Sequence, residues 1–222
     1  MKYCPECWKT YESGAVCPEC GAKLCQNKHI QDQSIDAFII DGGYLSKAYR
    51  SEIPYGVIGV GKACAAYEKF EEIVLPNTVK FIGRQAFKQN TAKRVVIPSS
   101  VTHIDDEAFA YCGQLTDVKL PGVRRLGSGA FSWCGALKSV TIGDSIVHIA
   151  AGAFSCSRNL ESVTIGKGLK KIKEGAFYDC NKLTSINFGG TKAQWHAVFI
   201  QKGWRERSAI TRIQCSDGIL TY

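Results

Sequence analysis

Four consecutive segments are copies of one pattern: KRVVIPSSVTHIDDEAFAYCGQL, TDVKLPGVRRLGSGAFSWCGAL, KSVTIGDSIVHIAAGAFSCSRNL and ESVTIGKGLKKIKEGAFYDCNKL, spanning Lys93 to Leu183. The period is 22 to 23 residues, and an Ala-Phe pair recurs at Phe109, Phe131, Phe154 and Phe177. Self-similarity at that period constrains the fold to a solenoid, because one such unit cannot bury its apolar face alone and must stack on its neighbours.

The columns of the repeat predict which residues face inward. Eight before each Phe stand Val79, Val101, Val123, Ile146 and Leu169, and five before it Ile82, Ile104, Leu126, Ile149 and Ile172. Six after the Phe comes Leu115, Leu137, Leu160 or Leu183, followed by alternating pairs such as Val118/Leu120, Val140/Ile142, Val163/Ile165 and Ile186/Phe188. Strict alternation marks a half-buried strand. Stacking at about 4.8 Å turns each column into a ladder, with the Phe side chains as its spine. Cys112, Cys134 and Cys180 fall three after the Phe and Cys156 two after. Their spacing follows the repeat and not ligand geometry, so they are expected to pack as small buried hydrophobes.

The pattern wears out at both ends. IPYGVIGVGKAC reads as a degraded first copy, with Ala63-Cys64 in the Ala-Phe place and one residue missing before it; EEIVLPNTVKFIGRQAFKQNTA restores the pattern at Ala86-Phe87, and TSINFGG supplies a last strand. That gives about six coils over 53–190. Before them, AFIIDGGYLSKAY reads as a capping hairpin turning on Gly42-Gly43, within a linker and cap region at 26–52. After Gly190, TKAQWHAVFI places Trp195, Val198 and Phe199 at helical spacing with Thr191 as N-cap, in a C-terminal cap at 191–222.

Residues 1–25 carry a different signal. Cys4, Cys7, Cys17 and Cys20 form two C-x-x-C pairs. Such pairs turn their sulfurs into one concavity and together complete the tetrahedral thiolate shell that zinc prefers. Two disulfides or a redox pair are the competing readings. All four positions are filled by protein, so the Zn²⁺ is expected to be structural. Cys25 and His29 read as linker residues. The segment resembles the bacterial zinc ribbon with paired CPxCG knuckles: CPECG at 17–21 fits, while Trp8 stands where that family has glycine.

The repeat itself, with strand, Ile-Pro or Ile-Gly turn, V-x-x-I, Ala-Phe and Cys, resembles the BspA-type leucine-rich repeat family over about 53–190. The resemblance implies a curved, right-handed, β-rich solenoid used for protein binding, adhesion or surface display, and it carries no catalytic residues. The fold class expected is therefore a leucine-rich-repeat-like solenoid with a small N-terminal zinc ribbon.

Function would then lie in the side chains between the buried columns. The first strand of each coil exposes a small, polar row including Arg94, Lys119, Thr141 and Thr164, expected on the concave wall. The second exposes Lys80, His103, Arg124, Arg125, His148, Lys170 and Lys171, a column in which basic pairs alternate between coils. With a formal charge of +8, that column reads as a solvated face that keeps the protein soluble, with a partner-binding or polyanion-binding stripe as the alternative. Asp105, Asp106 and Glu107 occupy the turn before Ala-Phe and read as turn residues, and Trp204, Arg205 and Arg207 as a cap with a basic rim. No nucleophile–base pair or phosphate-binding loop is legible. The expectation is a non-enzymatic interaction protein, cytoplasmic and rich in reduced thiols, with nucleic-acid binding or a surface adhesin as alternatives.

Overall fold

The computed structural model describes Ile53 and residues 55–222 in full, and the backbone of the short strands Lys2–Tyr3, Thr10–Tyr11, Phe38–Asp41 and Tyr44–Ala48. The expected zinc ligands Cys4, Cys7, Cys17 and Cys20, and the linker at 26–36, lie outside the described residues.

Each coil gives one strand to each of two parallel sheets. The first sheet runs through Glu72–Val74, Arg94–Val96, Asp117–Leu120, Ser139–Ile142, Ser162–Ile165, Ser185–Phe188 and Arg212–Cys215, and closes on Gly218–Thr221, which turns back antiparallel. The second sheet runs through Gly59–Val60, Phe81–Ile82, His103–Ile104, Arg125–Leu126, His148–Ile149, Lys171–Ile172 and Phe199–Ile200. It is opened by an antiparallel hairpin of Phe38–Asp41 and Tyr44–Ala48, whose second strand lies parallel to Gly59–Val60. Pairing from coil to coil is in register, so Val118, Val140, Val163, Ile186 and Ile213 form one inward row and Ile82, Ile104, Leu126, Ile149 and Ile172 another.

Between the second strand and the next first strand the chain turns through the Phe column. Phe87, Phe109, Phe131, Phe154 and Phe177 are buried and stack with centroids 5.0 to 5.8 Å apart and nearly parallel planes; Trp204 ends the stack edge-on at 6.0 Å. Each turn makes its corners with two left-handed residues, two before and two after the Phe place. The second of these is Tyr67, Gln89, Tyr111, Trp133, Cys156, Asp179 or Arg207, all with φ between 57° and 65°.

This geometry corrects two readings of the ends. The Ala65 amide donates to the carbonyl of Ala86 just as Phe87 donates to Ala108, so Cys64-Ala65, and not Ala63-Cys64, fills the Ala-Phe place and no residue is missing before it. The sequence hides this because a small residue stands where the ring belongs. At the other end the coil does not stop at Gly190. Phe199–Ile200 and Arg212–Cys215 continue both sheets, and Gly203 and Arg207 repeat the two left-handed corners, which gives seven turns in place of about six. A short helix, Lys192–His196, interrupts the sequence pattern there. Thr191 caps it and Gln194 completes a capping box. Trp195 and Val198 are buried, but Phe199 leaves the helix for a strand and points outward, 59% exposed.

The cysteine column does more than fill space. The thiols of Cys112, Cys134 and Cys180 donate to the carbonyls of Phe87, Phe109 and Phe154, one coil back, at 3.1 to 3.2 Å. Ser157 does the same to Phe131 with its hydroxyl, and Asn90 to Ala65 with its amide. Cys156 is thus outside the column, in a left-handed corner, and Ser157 takes its place. Burial pushes the thiols of Cys112 and Cys180 up to about 12 and that of Cys134 well above its ordinary value. They are neutral donors, without the thiolate character that reactivity requires.

Candidate functional site

On the outer side of the second sheet the residues between buried positions form one ladder: Gly59, Phe81, His103, Arg125, His148, Lys171 and Phe199, each directly beside the next. Arg125 and Lys171 stand two coils apart, as the sequence columns suggested, with His148 between them. Register puts an imidazole on either side of Arg125 and another cation beside His148, one strand spacing of about 4.8 Å at each step. Lys80, Arg124 and Lys170 precede the strands and are exposed along the same edge.

From Phe81 to Lys171 this ladder is the floor of a groove of about 960 Å³. One rim is the turn that follows the second strand, which contributes Asp105, Asp106, Ser128, Ala150 and Lys173. The groove therefore lies on the second sheet, where each strand is two residues long.

Charge is unevenly spread along the floor. Thr102 Oγ1 lies 2.9 Å from His103 Nδ1, and Lys171 Nζ sits 4.9 Å from the centroid of the Phe199 ring. None of the ion pairs among the described residues uses Arg125, Lys171 or Lys173. Asp105 and Asp106 confirm their part as turn residues: the Asp105 carboxylate accepts from the Asp106 amide at 2.8 Å, and the Asp106 carboxylate from the Ser128 amide at 2.6 Å. Glu107, at the next position, accepts from Lys88 and Gln85. The Lys88 ammonium and the Gln85 amide together hold its carboxyl below the usual range. The negative end of the groove is thus near His103 and the positive end near Lys171.

The outer face of the first sheet is different. Arg94 is 3.3 Å from Glu72, and Ser139 donates to Asp117, which holds that carboxyl below its ordinary value. Lys119, Thr141 and Thr164 continue the row in register. Glu72 and Arg94 meet within this face, Val74 and Val96 are exposed beside them, and Ser139, Thr141, Ser162 and Thr164 follow. The remaining candidate, Trp204 with Arg205 and Arg207, is taken up by contacts of the last coil. Trp204 packs on Phe177 and Trp195; Arg205 donates to the Ile210 carbonyl and covers the Tyr222 ring; Arg207 donates to the Tyr178 hydroxyl.

One feature escaped the sequence columns. Tyr67, Tyr111 and Trp133 occupy the left-handed corner after the Phe and are 68%, 44% and 47% exposed, with the Tyr111 and Trp133 rings stacked at 5.8 Å. The position two after each Phe was the available signal. Its residues share a conformation and no chemistry, which is why no pattern drew attention to it.

The class defined by this geometry is a two-sheeted leucine-rich-repeat β-solenoid. More narrowly, residues 102–195 match the family model described as BspA type Leucine rich repeat region (6 copies), which supports the BspA type for the repeats. Among solved structures, a leucine-rich repeat protein from Eubacterium ventriosum is similar with a TM-score of 0.66 and 24% identity, over 80% of this chain and 50% of that one. The pneumococcal vaccine antigen PcpA is similar with a TM-score of 0.53 and 20% identity, over 84% of this chain and 43% of that one. The chain spans half or less of the length of these two structures, and the likeness is one of fold. No curated protein matches the chain. Among the described residues, no three or more His, Cys, Asp or Glu side chains converge as a metal site, and no helix is long and apolar enough to cross a membrane.

Proposed function

We propose that this chain is a non-enzymatic interaction protein, whose solenoid presents the second-sheet groove to a protein partner and carries a small structural zinc ribbon at residues 1–25. The observation that carries the reading is the contrast between the two outer faces. On the first sheet Arg94 is paired with Glu72, while the second lines a groove with Arg125, Lys171 and Lys173 left out of every ion pair among the described residues. Repeat solenoids lend themselves to this, since stacking creates an extended surface whose floor varies coil by coil.

Zinc would be held by Cys4, Cys7, Cys17 and Cys20, and its role would be to fold the ribbon. The antiparallel pairing of Lys2–Tyr3 with Thr10–Tyr11 supports this, since the two strands flank the first C-x-x-C pair in the sequence. A reducing compartment is part of the proposal: Cys112, Cys134, Cys156, Cys180 and Cys215 form no disulfide, and a four-thiolate zinc unit needs reduced ligands. A second reading, binding of a nucleic acid or another polyanion, rests on the same cations with Arg124 and Lys170.

Selection of random peptides on the full chain tests the first reading. The expected result is saturable binders that lose affinity on reversing charges of the groove. Binding that falls steeply with salt and prefers DNA or RNA over every peptide would favour the second reading.

A further inference from the structure

Resting on the proposed protein-binding role, the groove's charge pattern identifies the partner's chemistry. We propose that the groove takes a short extended peptide segment that is acidic toward its Lys171 end and apolar at its termini.

Three observations carry this. The first is charge: facing the groove are the cations Arg125, Lys171 and Lys173, the imidazoles His103 and His148, and the carboxylates Asp105 and Asp106. Both carboxylates lie at the His103 end, so the field along the floor has a direction. A partner bearing acidic groups on one half matches that direction. A nucleic acid, charged uniformly along its length, would meet Asp105 and Asp106 with phosphates at the His103 end.

The second is length. Arg125 and Lys171 are two strand spacings apart, about 10 Å, which three residues of extended chain span. From Phe81 to Phe199 the ladder covers five spacings, about 24 Å, or roughly seven extended residues. The third is the pair of rings. Phe81 lines one end of the groove, and at the other end Phe199 continues the ladder, outward and largely exposed, with the Lys171 ammonium over its face. Apolar side chains at the two ends of the segment would cover them, and carboxylates between would reach Arg125, Lys171 and Lys173.

The test uses the full chain and a fluorescent peptide of glutamates flanked by leucines, read by anisotropy. Saturable binding is expected. It should weaken about tenfold or more in the double variant Arg125→Glu/Lys171→Glu and stay unchanged in the double variant Arg94→Glu/Lys119→Glu, which changes the net charge equally on the other sheet. The glutamine analogue should not bind, and an oligothymidylate of equal charge should bind more weakly than the peptide. Thermal melts establish that each variant is folded; if the reversal unfolds the groove, Arg125→Gln/Lys171→Gln replaces it with the same expectation. No saturable binding, equal loss in both double variants, or tighter binding of the oligothymidylate would overturn the proposal. Peptides selected from a random library separate this failure from that of the broader reading. Binders sensitive only to the first-sheet variant would leave a protein-binding solenoid and remove the groove, while a library that yields no binder would remove both.

Discussion

Replacing Cys134 separates two physical accounts of the recurring cysteine. Cys134 is fully buried, and its thiol donates to the Phe109 carbonyl 3.2 Å away in the preceding coil. If the sulfur only filled space, Cys134→Ala would lose little more than the transfer term of one heavy atom, roughly 0.8 kcal/mol by the methylene scale, plus a small cavity. Cys134→Ser would then be worse than Ala, because an unmatched buried hydroxyl costs about 1–3 kcal/mol. If the donor role holds, the order reverses. Serine keeps a donor to Phe109, as Ser157 already does to Phe131 in the same column, and should stay within about 1 kcal/mol of the parent. Alanine should cost about 1.5–2.5 kcal/mol, adding a lost hydrogen bond to the transfer and cavity terms. Urea unfolding followed by far-UV circular dichroism measures both, with an unchanged slope showing that the variants expose the same surface. A serine variant less stable than the alanine variant would refute the donor account.

Other perturbations follow from the same geometry. Phe131→Ala, between rings at 5.0 and 5.8 Å, should cost about 3–5 kcal/mol, and Phe87→Ala less because Ala65 offers no ring on its far side; equal losses in urea unfolding would contradict the continuous stack. Glu107→Gln removes a charge whose folded pKa is lowered by Lys88 and Gln85. Its stabilisation is present above the unfolded Glu value of about 4.3 and is lost as pH falls through the lower folded value. The variant should lose about 0.5 kcal/mol near pH 7, discounted for partial exposure, and match the parent in acid; a gap that persists in acid would rule out the ion pair as its cause. Elemental analysis of the reduced chain should find about one zinc, lost in Cys17→Ser/Cys20→Ser; a parent chain without zinc would end the ribbon proposal.

Much of this fold was legible because the repeat states its own geometry. The inward Val, Ile and Leu columns and the Phe ladder follow from spacing alone, and so does the assignment of Asp105 and Asp106 to a turn. Three things were not. The donor role of Cys134 depends on a carbonyl that the stacking, and no local pattern, brings within reach. The seventh coil was hidden because the helix Lys192–His196 interrupts the period, so that Phe199 read as part of a helical face when it belongs to a strand. The groove depends on which turn residues line the outer face of the second sheet, and neither column period nor composition encodes that. The file of His103, Arg125, His148 and Lys171 was legible as one column of the repeat, and the strand register joins its members coil by coil.

The measurement that bears most directly on the groove as the working surface is hydrogen exchange of the full chain with and without a bound selected peptide. The account predicts added protection in residues 102–106, 125–128, 148–150 and 171–173, the floor and rim of the second-sheet groove. Protection falling instead on 94–96, 117–120, 139–142 and 162–165 would place the partner on the first sheet and contradict it.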